Sequence, residues 1–247
     1  RKTSMRILDR ITGILEAVAN SPEPLPAVEV SRALTLPLPT TSRLMRELAK
    51  RRYLSVDERS NAYSLGPRPL AWGYAARPAK LTTELAPEME WLRDATGETV
   101  SLHVRTDDLR MCIAEVQSRQ SVRRVVPIGL SVPLHFGATG LVLLAFSPSE
   151  FVAAYMGKLD LDDDAKRSLD CQLRLAAERG WAMAIDSWIT GLAGLAAPVW
   201  EGGRVAASLV ASGPSQRFTA DVMQGQVENI MAAAKRASGR ISGTPLP

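Results

Sequence analysis

The sequence predicts an α+β chain of two domains, a small helix-rich module followed by a larger one built on an antiparallel sheet, and three observations predict it. First, 247 residues are about one and a half times a typical domain length. Second, charge is uneven: residues 1–80 carry 14 Lys and Arg against 7 Asp and Glu, a net +7, while the remaining 16 basic and 19 acidic residues leave −3. Third, the order of elements changes near residue 66, from helices and one hairpin to strands, helices, strands and a closing helix. A basic first third joined to a slightly acidic remainder suits a nucleic-acid-binding module fused to something else, although small domains also differ by a few charges for no such reason.

Residues 6–19 place Ile7, Ile11, Ile14 and Val18 at helical spacing, so they form an amphipathic helix that NSPEPLP ends. Pro26 suits the first turn of a second helix through Leu34, burying Val30, Ala33 and Leu34. TLPLP, residues 35–39, cannot continue that helix, because Pro37 and Pro39 remove donors and push their predecessors to extended geometry. Thr40 is an N-cap for a third helix to about Arg52, with Leu44 and Leu48 inward and Ser42, Arg43, Arg46, Glu47 and Lys50 on the polar side. Tyr53–Val56 and Ala62–Leu65 flank the polar loop Asp57–Asn61 as a β-hairpin. Helix, helix, turn, helix, hairpin within 66 residues is the order of a winged helix-turn-helix.

Residues 67–79 read as a linker helix. Its Trp72 and Tyr74 either meet a second copy of the chain or lean on the second domain. Residues 80–247 form the second domain. Leu81–Thr96 is a helix ended by Gly97, and TVSLHV (99–104), RMCIAEV (110–116) and RRVVPIG (123–129) are strands. ATGLVLLAF (138–146) is a buried helix, SPSEFVAAYM a helix capped by Ser147 or Ser149, and DDDAKRSLDCQLRLAAERG a helix with an acidic first turn. LAGLAAPVW and RVAASLVAS form a hairpin around EGG, and residues 219–238 close the domain as a helix.

Function classes narrow accordingly. No stretch approaches the roughly 18 apolar residues of a membrane helix, and RKTSMRILDR lacks a signal peptide's apolar run, so the reading is cytoplasmic. Cys112 and Cys171 are isolated, and His103 and His135 are too sparse for a zinc site; neither a metal nor a cofactor is expected. With no G-x-S-x-G elbow and no Gly-rich phosphate loop, nothing supplies a nucleophile with its base, and an enzyme is not expected.

ILDRITGILEAVA, VEVSRALTLPLPTTSRLMRELAKRRYL and YSLG resemble the DNA-binding domain of the IclR family of bacterial transcriptional regulators. GETVSLHV, VPLHFGATGLVLLAF, ERGWAMAID, GLAGLAAPV and ASLVASGPSQRFT resemble successive blocks of that family's effector-binding domain, a GAF-like sensor. The likeness spans nearly the whole chain in order. It departs in the turn, where Thr35 stands in place of the usual Gly and Pro39 in place of a polar residue.

In a winged helix-turn-helix the third helix enters the major groove. Thr40, Thr41, Ser42, Arg43 and Arg46 are then base readers, with bracing of the fold or a phosphate as the other role open to Arg43. Lys50, Arg51, Arg52 and Arg59 touch backbone, and Arg59 with Asn61 forms the wing tip at the minor groove. The resemblance implies homodimers or homotetramers on a palindromic double-stranded operator. It also implies an organic acid effector held by Gly137, Ala138, Asp186, Gly194 and Ser212, with Leu134, Phe136 and Trp188 as walls. His135 is either a carboxylate partner or a structural residue, and Asp186 either a pocket residue or a turn cap. Gly194 and Val210, where short-acid binders carry a cysteine and an extra serine, make the pocket roomier and less polar, a pointer toward a larger acid such as an aromatic one. The rival reading is a small-molecule-binding interaction protein whose helix-turn-helix is degenerate.

Overall fold

A computed structural model describes residues 7–75 and 77–242 and divides the chain into two compact units, Arg1–Ala79 and Lys80–Pro247. In the first unit, α1 (Ile7–Ala19), α2 (Ala27–Ala33) and α3 (Leu38–Lys50) surround a core of Ile14, Val18, Val30, Met45, Leu48, Leu54 and Tyr63. β2 (Leu54–Val56) and β3 (Ala62–Leu65) form the wing. A strand not foreseen, β1 (Leu25–Pro26), pairs with β3 on its other side, so the segment that breaks α1 also ties down the hairpin.

The turn between α2 and α3 corrects one expectation. Helix α3 starts at Leu38, with Pro37 at the cap and Pro39 within the first turn, so Thr40 does not cap it. Proline is tolerated there because first-turn N–H groups have no intrahelical acceptor anyway. Thr35 adopts φ 52°, a left-handed conformation that glycine takes at no cost and a β-branched residue resists. The Ser31 hydroxyl, donating to the Leu36 carbonyl at 2.7 Å, and the Leu36 N–H, donating to the Ser31 carbonyl at 3.0 Å, hold the turn closed. α4 (Pro67–Ala75) follows. Its Trp72 is 54% exposed and meets Tyr53 edge-on at 5.1 Å, with Arg68 over both rings; the Tyr74 side chain lies outside the described residues.

α5 runs Arg77–Thr96, and Gly97, at φ 72°, ends it. The second unit holds β4 (Thr99–Thr106), β5 (Leu109–Val116), β6 (Ser131–Pro133), α6 (Gly137–Ala145), α7 (Ser149–Lys158), α8 (Asp163–Arg179), β7 (Ala182–Ile185), β8 (Leu192–Glu201), β9 (Arg204–Pro214), α9 (Ala220–Gly225) and α10 (Val227–Ser242). The six strands form one antiparallel sheet in the order β6-β5-β4-β9-β8-β7. The expected strand at 123–129 is absent, since Pro127 and Gly129 interrupt it and the side chain of Glu115 takes the Val126 N–H. Its place beside β5 goes to β6 and the Leu130 carbonyl, which accepts from the Cys112 N–H at 3.0 Å. α7 has Pro148 at its cap; Ser147 instead donates to the Leu143 carbonyl. α8 is capped as its acidic start suggests, the Asp162 carboxylate accepting from Ala165 N–H at 2.7 Å. Gly202 and Gly203, both at positive φ, make the tight β8–β9 turn.

Alternation along the strands splits this sheet between two cores. Val100, Leu102, Leu195, Leu209 and Ala211 face α5 and α10. Ala196 and Val210 face α6 and its neighbours. On the first side, Glu88, 4% exposed, receives the Nε donors of Arg236 at 2.5 Å and Arg240 at 2.9 Å. Burial of both hydrophobic faces at roughly 1.5–3 kcal/mol per large aliphatic side chain makes the sheet a rigid floor. α6 is fixed most tightly: Leu141, Val142, Leu143 and Leu144 are all buried, and a Cβ on Gly140 would lie 1.9 Å from the Leu134 carbonyl oxygen.

Candidate functional site

The outward face of α3 is cationic. Arg43, Arg46 and Lys50 are exposed, as are Arg51 and Arg52 after it. Lys50 is shared with Glu47 at 2.8 Å, and that hydrogen bond holds the Glu47 carboxyl below its usual range. Arg46 donates from Nε to the Ser42 carbonyl at 3.3 Å, and among the described residues neither Arg43 nor Arg46 forms an ion pair. Thr40 and Ser42 are half-buried. Thr41 is a correction to the set of readers: it is fully buried, its hydroxyl donating to the Pro37 carbonyl at 3.2 Å, so it faces the core. Helical spacing explains this, because Thr41 shares a face with Met45 and Leu48. At the wing tip the Asp57 carboxylate accepts from the Arg59 N–H at 3.0 Å and the Ser60 hydroxyl at 2.7 Å, leaving the Arg59 side chain exposed, and Asn61 takes φ 53° to close the loop.

The second site lies on the α6 side of the large sheet. A cavity of about 60 Å³ is lined by Ser101 and His103 of β4, Arg110 of β5, Arg124 and Val126 of the following loop, the start of α6, the loop bearing Ser187 and Trp188, and Gly194, Val210 and Ser212 of β8 and β9. Strand alternation brings these together: while Val100 and Leu102 enter the α5 core, Ser101 and His103 point the other way.

Arg110 dominates the electrostatics. It is 8% exposed, its Nε has no hydrogen-bond partner, and burial followed by repulsion from Arg124 lowers its pKa to about 10. Its Nη1 donates to His103 Nδ1 at 3.3 Å. Guanidinium can only donate, so Nδ1 is the acceptor and the His103 proton sits on Nε2, which donates to the Ser101 hydroxyl at 2.9 Å. Burial, with Arg110 adding to it, pushes the His103 pKa down to about 3, so the ring is neutral at physiological pH. A Cβ on Gly137 would lie 3.6 Å from Arg110 Nη2, so the guanidinium reaches the beginning of α6, where N–H groups lack intrahelical acceptors. The Gly137 N–H is engaged by the Ser187 hydroxyl at 3.0 Å. Trp188, 38% exposed, covers this arrangement with Arg110 and Arg124 at 6.0 and 5.9 Å from its ring.

Of the effector residues read from the resemblance, Gly137, Ala138, Trp188, Gly194 and Ser212 line the cavity. Leu134, His135, Phe136 and Asp186 do not. Leu134 is core, and His135 is turned to Tyr155, its Nδ1 2.8 Å from the phenol oxygen. Phe136 packs on the His135 ring, with centroids 4.1 Å apart. Asp186, at φ 54°, accepts from the Gly191 N–H at 2.6 Å and so serves the loop turn. The cavity also carries charged and polar side chains that the resemblance did not point to, namely Arg110, Arg124, His103, Ser101 and Ser187. A basic residue inside the largely apolar run LRMCIAEV was the available signal for Arg110, and period-two alternation in TVSLHV was the signal for Ser101 and His103.

Comparison with known proteins then settles the family. Residues 7–58 match the model of the IclR helix-turn-helix domain, and residues 74–239 match that of the bacterial transcriptional regulator IclR C-terminal domain. The chain belongs to the IclR family of bacterial transcriptional regulators. It is 25% identical over 242 residues to the HTH-type transcriptional regulator BhcR of Paracoccus denitrificans, covering 95% of this chain and 86% of that one. To the HTH-type transcriptional repressor AllR of Escherichia coli K12 it is 26% identical over 239 residues, covering 94% and 88%. Among solved structures, an IclR homologue from Microbacterium hydrocarbonoxydans in complex with 4-hydroxybenzoate superposes with a TM-score of 0.85 at 21% identity, covering 97% of this chain and 100% of that one. This IclR-family chain is therefore a transcriptional regulator with a winged helix-turn-helix and a C-terminal effector-binding domain. Among its described residues no helix is long and apolar enough to cross a membrane, and no cluster of His, Cys, Asp and Glu is placed to hold a metal.

Proposed function

We propose that this regulator is a cytoplasmic, acid-responsive DNA-binding protein whose effector is a small organic acid held in the cavity around Arg110. The observation that carries the reading is Arg110 itself: a buried guanidinium with no carboxylate partner among the described residues, opening beside a helix N-terminus, calls for an anion. Trp188, Val126, Leu130 and Val210 supply apolar walls that admit an aromatic ring, and a protein of the same fold holds 4-hydroxybenzoate. Ser212 and the N–H groups of Ala138 and Thr139 complete the donor set.

On the DNA side, Arg43 and Arg46 with Ser42 and Thr40 read base edges. Lys50, Arg51, Arg52 and Arg59 grip phosphates, and Asn61 shapes the wing. One such module spans few base pairs, so a homodimer or a homotetramer binds a palindromic operator. Acid binding favours one arrangement of the effector domains and thereby shifts operator affinity.

A thermal-shift screen of the full-length protein with benzoate, 4-hydroxybenzoate, butyrate and pyruvate tests the pocket, since a ligand that binds only the native state raises the melting temperature. Stabilisation by at least one acid is expected; silence across a wider acid panel contradicts the reading. Repeating the screen with operator DNA reads the coupling.

A further inference from the structure

We infer that the effector is a dicarboxylate, one carboxylate resting on Arg110 and the start of α6 and the other on Arg124, with its carbon body against Trp188. This deepens the acid-sensing reading and rests on it. The cavity carries two guanidiniums, not one: Arg110 is more than nine-tenths buried with an unpartnered Nε, and Arg124 lines the same cavity. Both lie about 6 Å from the same indole ring, so a single small ligand reaches both.

No carboxylate of the described residues stands within ion-pair distance of either guanidinium, and no acidic side chain lines the cavity. Glu115 acts on Arg124 electrostatically and offsets part of the cost of its burial, but among the described residues it makes no ion pair with Arg124, its carboxylate accepting instead from the Val126 N–H and from the side-chain amide of Gln117, which donates at 3.0 Å. His103 does not add to the positive charge, since its ring is neutral and bridges Ser101 and Arg110.

The two arginines repel each other, and desolvation adds to the cost. A monocarboxylate resting on Arg110 leaves Arg124 with only the field of Glu115, whereas two acid groups give each guanidinium its own carboxylate. Trp188, Ile189, Val126, Leu130, Leu192 and Val210 give the same cavity apolar surface. Such walls suit a carbon skeleton between the anionic ends and disfavour a compact inorganic dianion.

Isothermal titration of the full-length protein decides this. Succinate, glutarate, adipate and phthalate are compared with their monomethyl esters and with inorganic phosphate at fixed ionic strength. The best dicarboxylate is expected to bind at least about tenfold more tightly than its own monoester, as one lost charge-assisted contact implies. In Arg124→Gln that ratio falls toward one, and in Arg124→Lys most of it returns; the melting temperature of each variant without ligand is the control for folding. Should Arg124→Gln not fold, the ratio in the unaltered protein still decides. Monoesters binding as tightly as their diacids overturn the inference while leaving acid sensing intact. Phosphate binding more tightly than every diacid overturns it in favour of an inorganic anion. No binding by any acid overturns acid sensing, and this inference with it.

Discussion

The two charged sites of this regulator are built in opposite ways. The proposed DNA surface comes from one thirteen-residue helix and a nearby loop, and its arginines sit in water. The cavity draws on β4, β5, the 124–130 loop, α6, the 186–191 loop, β8 and β9, and its leading arginine is buried. Solvated Arg43 and Arg46 cost little to leave empty, and in the proposed reading they supply affinity when phosphates or bases arrive. Arg110 is held at a desolvation cost that lowers its pKa to about 10, a cost an anion would offset. A surface that waits for a polyanion can be local and mobile. A pocket that selects a small acid has to be preorganised by residues distant in sequence.

The largest expected effect separates the sites by breaking one scaffold. Gly140→Ala forces a methyl into the Leu134 carbonyl, and overpacking against backbone should cost more than about 3 kcal/mol. Thermal unfolding should show the effector domain melting early and acid binding lost, while the helix-turn-helix core, which shares no residue with that contact, keeps its own transition.

On the DNA side, Arg46→Ala should weaken the cognate operator by about 1–3 kcal/mol and flatten discrimination between operator variants in a gel shift. Arg59→Ala should weaken all sequences alike and reduce the salt slope by about one. The reverse pattern, Arg46→Ala without effect and Arg59→Ala abolishing binding, would show that the groove assignment is wrong. Neither change should alter acid binding.

His103 links the cavity to pH. Its folded pKa, about 3, lies below the 6.5 of an exposed histidine, so the unfolded chain takes up a proton that the native one does not. The stability tied to the neutral ring is complete above about pH 6.5 and is lost progressively as pH falls from there toward 3. Urea melts across this window should give a steeper acid-side decline for the native sequence than for His103→Gln. Equal slopes would remove His103 from the buried network.

The smallest effect is in the turn. Thr35 at φ 52° carries roughly 1–2 kcal/mol of left-handed strain, part of which a glycine returns as extra freedom in the unfolded chain. Thr35→Gly should therefore raise the stability of the DNA-binding unit by up to about 1 kcal/mol in denaturant melts, with operator specificity unchanged.

Much of this was legible in the sequence, for physical reasons that differ by site. α3 announces itself because helical spacing sorts Met45 and Leu48 from Arg43 and Arg46 within a few residues. The same spacing, applied strictly, also assigns Thr41 to the core. The helix start was misplaced because a proline that interrupts a helix interior is welcome in its first turn. α6 was legible from its unbroken apolar run, and Gly137 and Ala138 came from the family resemblance, in keeping with the chemistry of a helix start. Arg110 left a signal as a charge within a largely apolar strand, but that Arg110 and Arg124 share a cavity was not legible, since they line it together only after β5 and its loop fold onto the sheet. Asp186 and His135 illustrate the converse: polar residues beside a site are taken up by local hydrogen bonds, with the Gly191 N–H and Tyr155.

The most direct test of acid sensing is calorimetric titration of benzoate and phthalate into the full-length protein and into Arg110→Gln, which keeps a polar side chain but removes the charge. Loss of at least about tenfold in affinity for whichever acid binds, with the variant folded and still gripping operator DNA, is the predicted result. Unchanged affinity in Arg110→Gln would contradict the account, because the buried guanidinium would then not be what holds the acid.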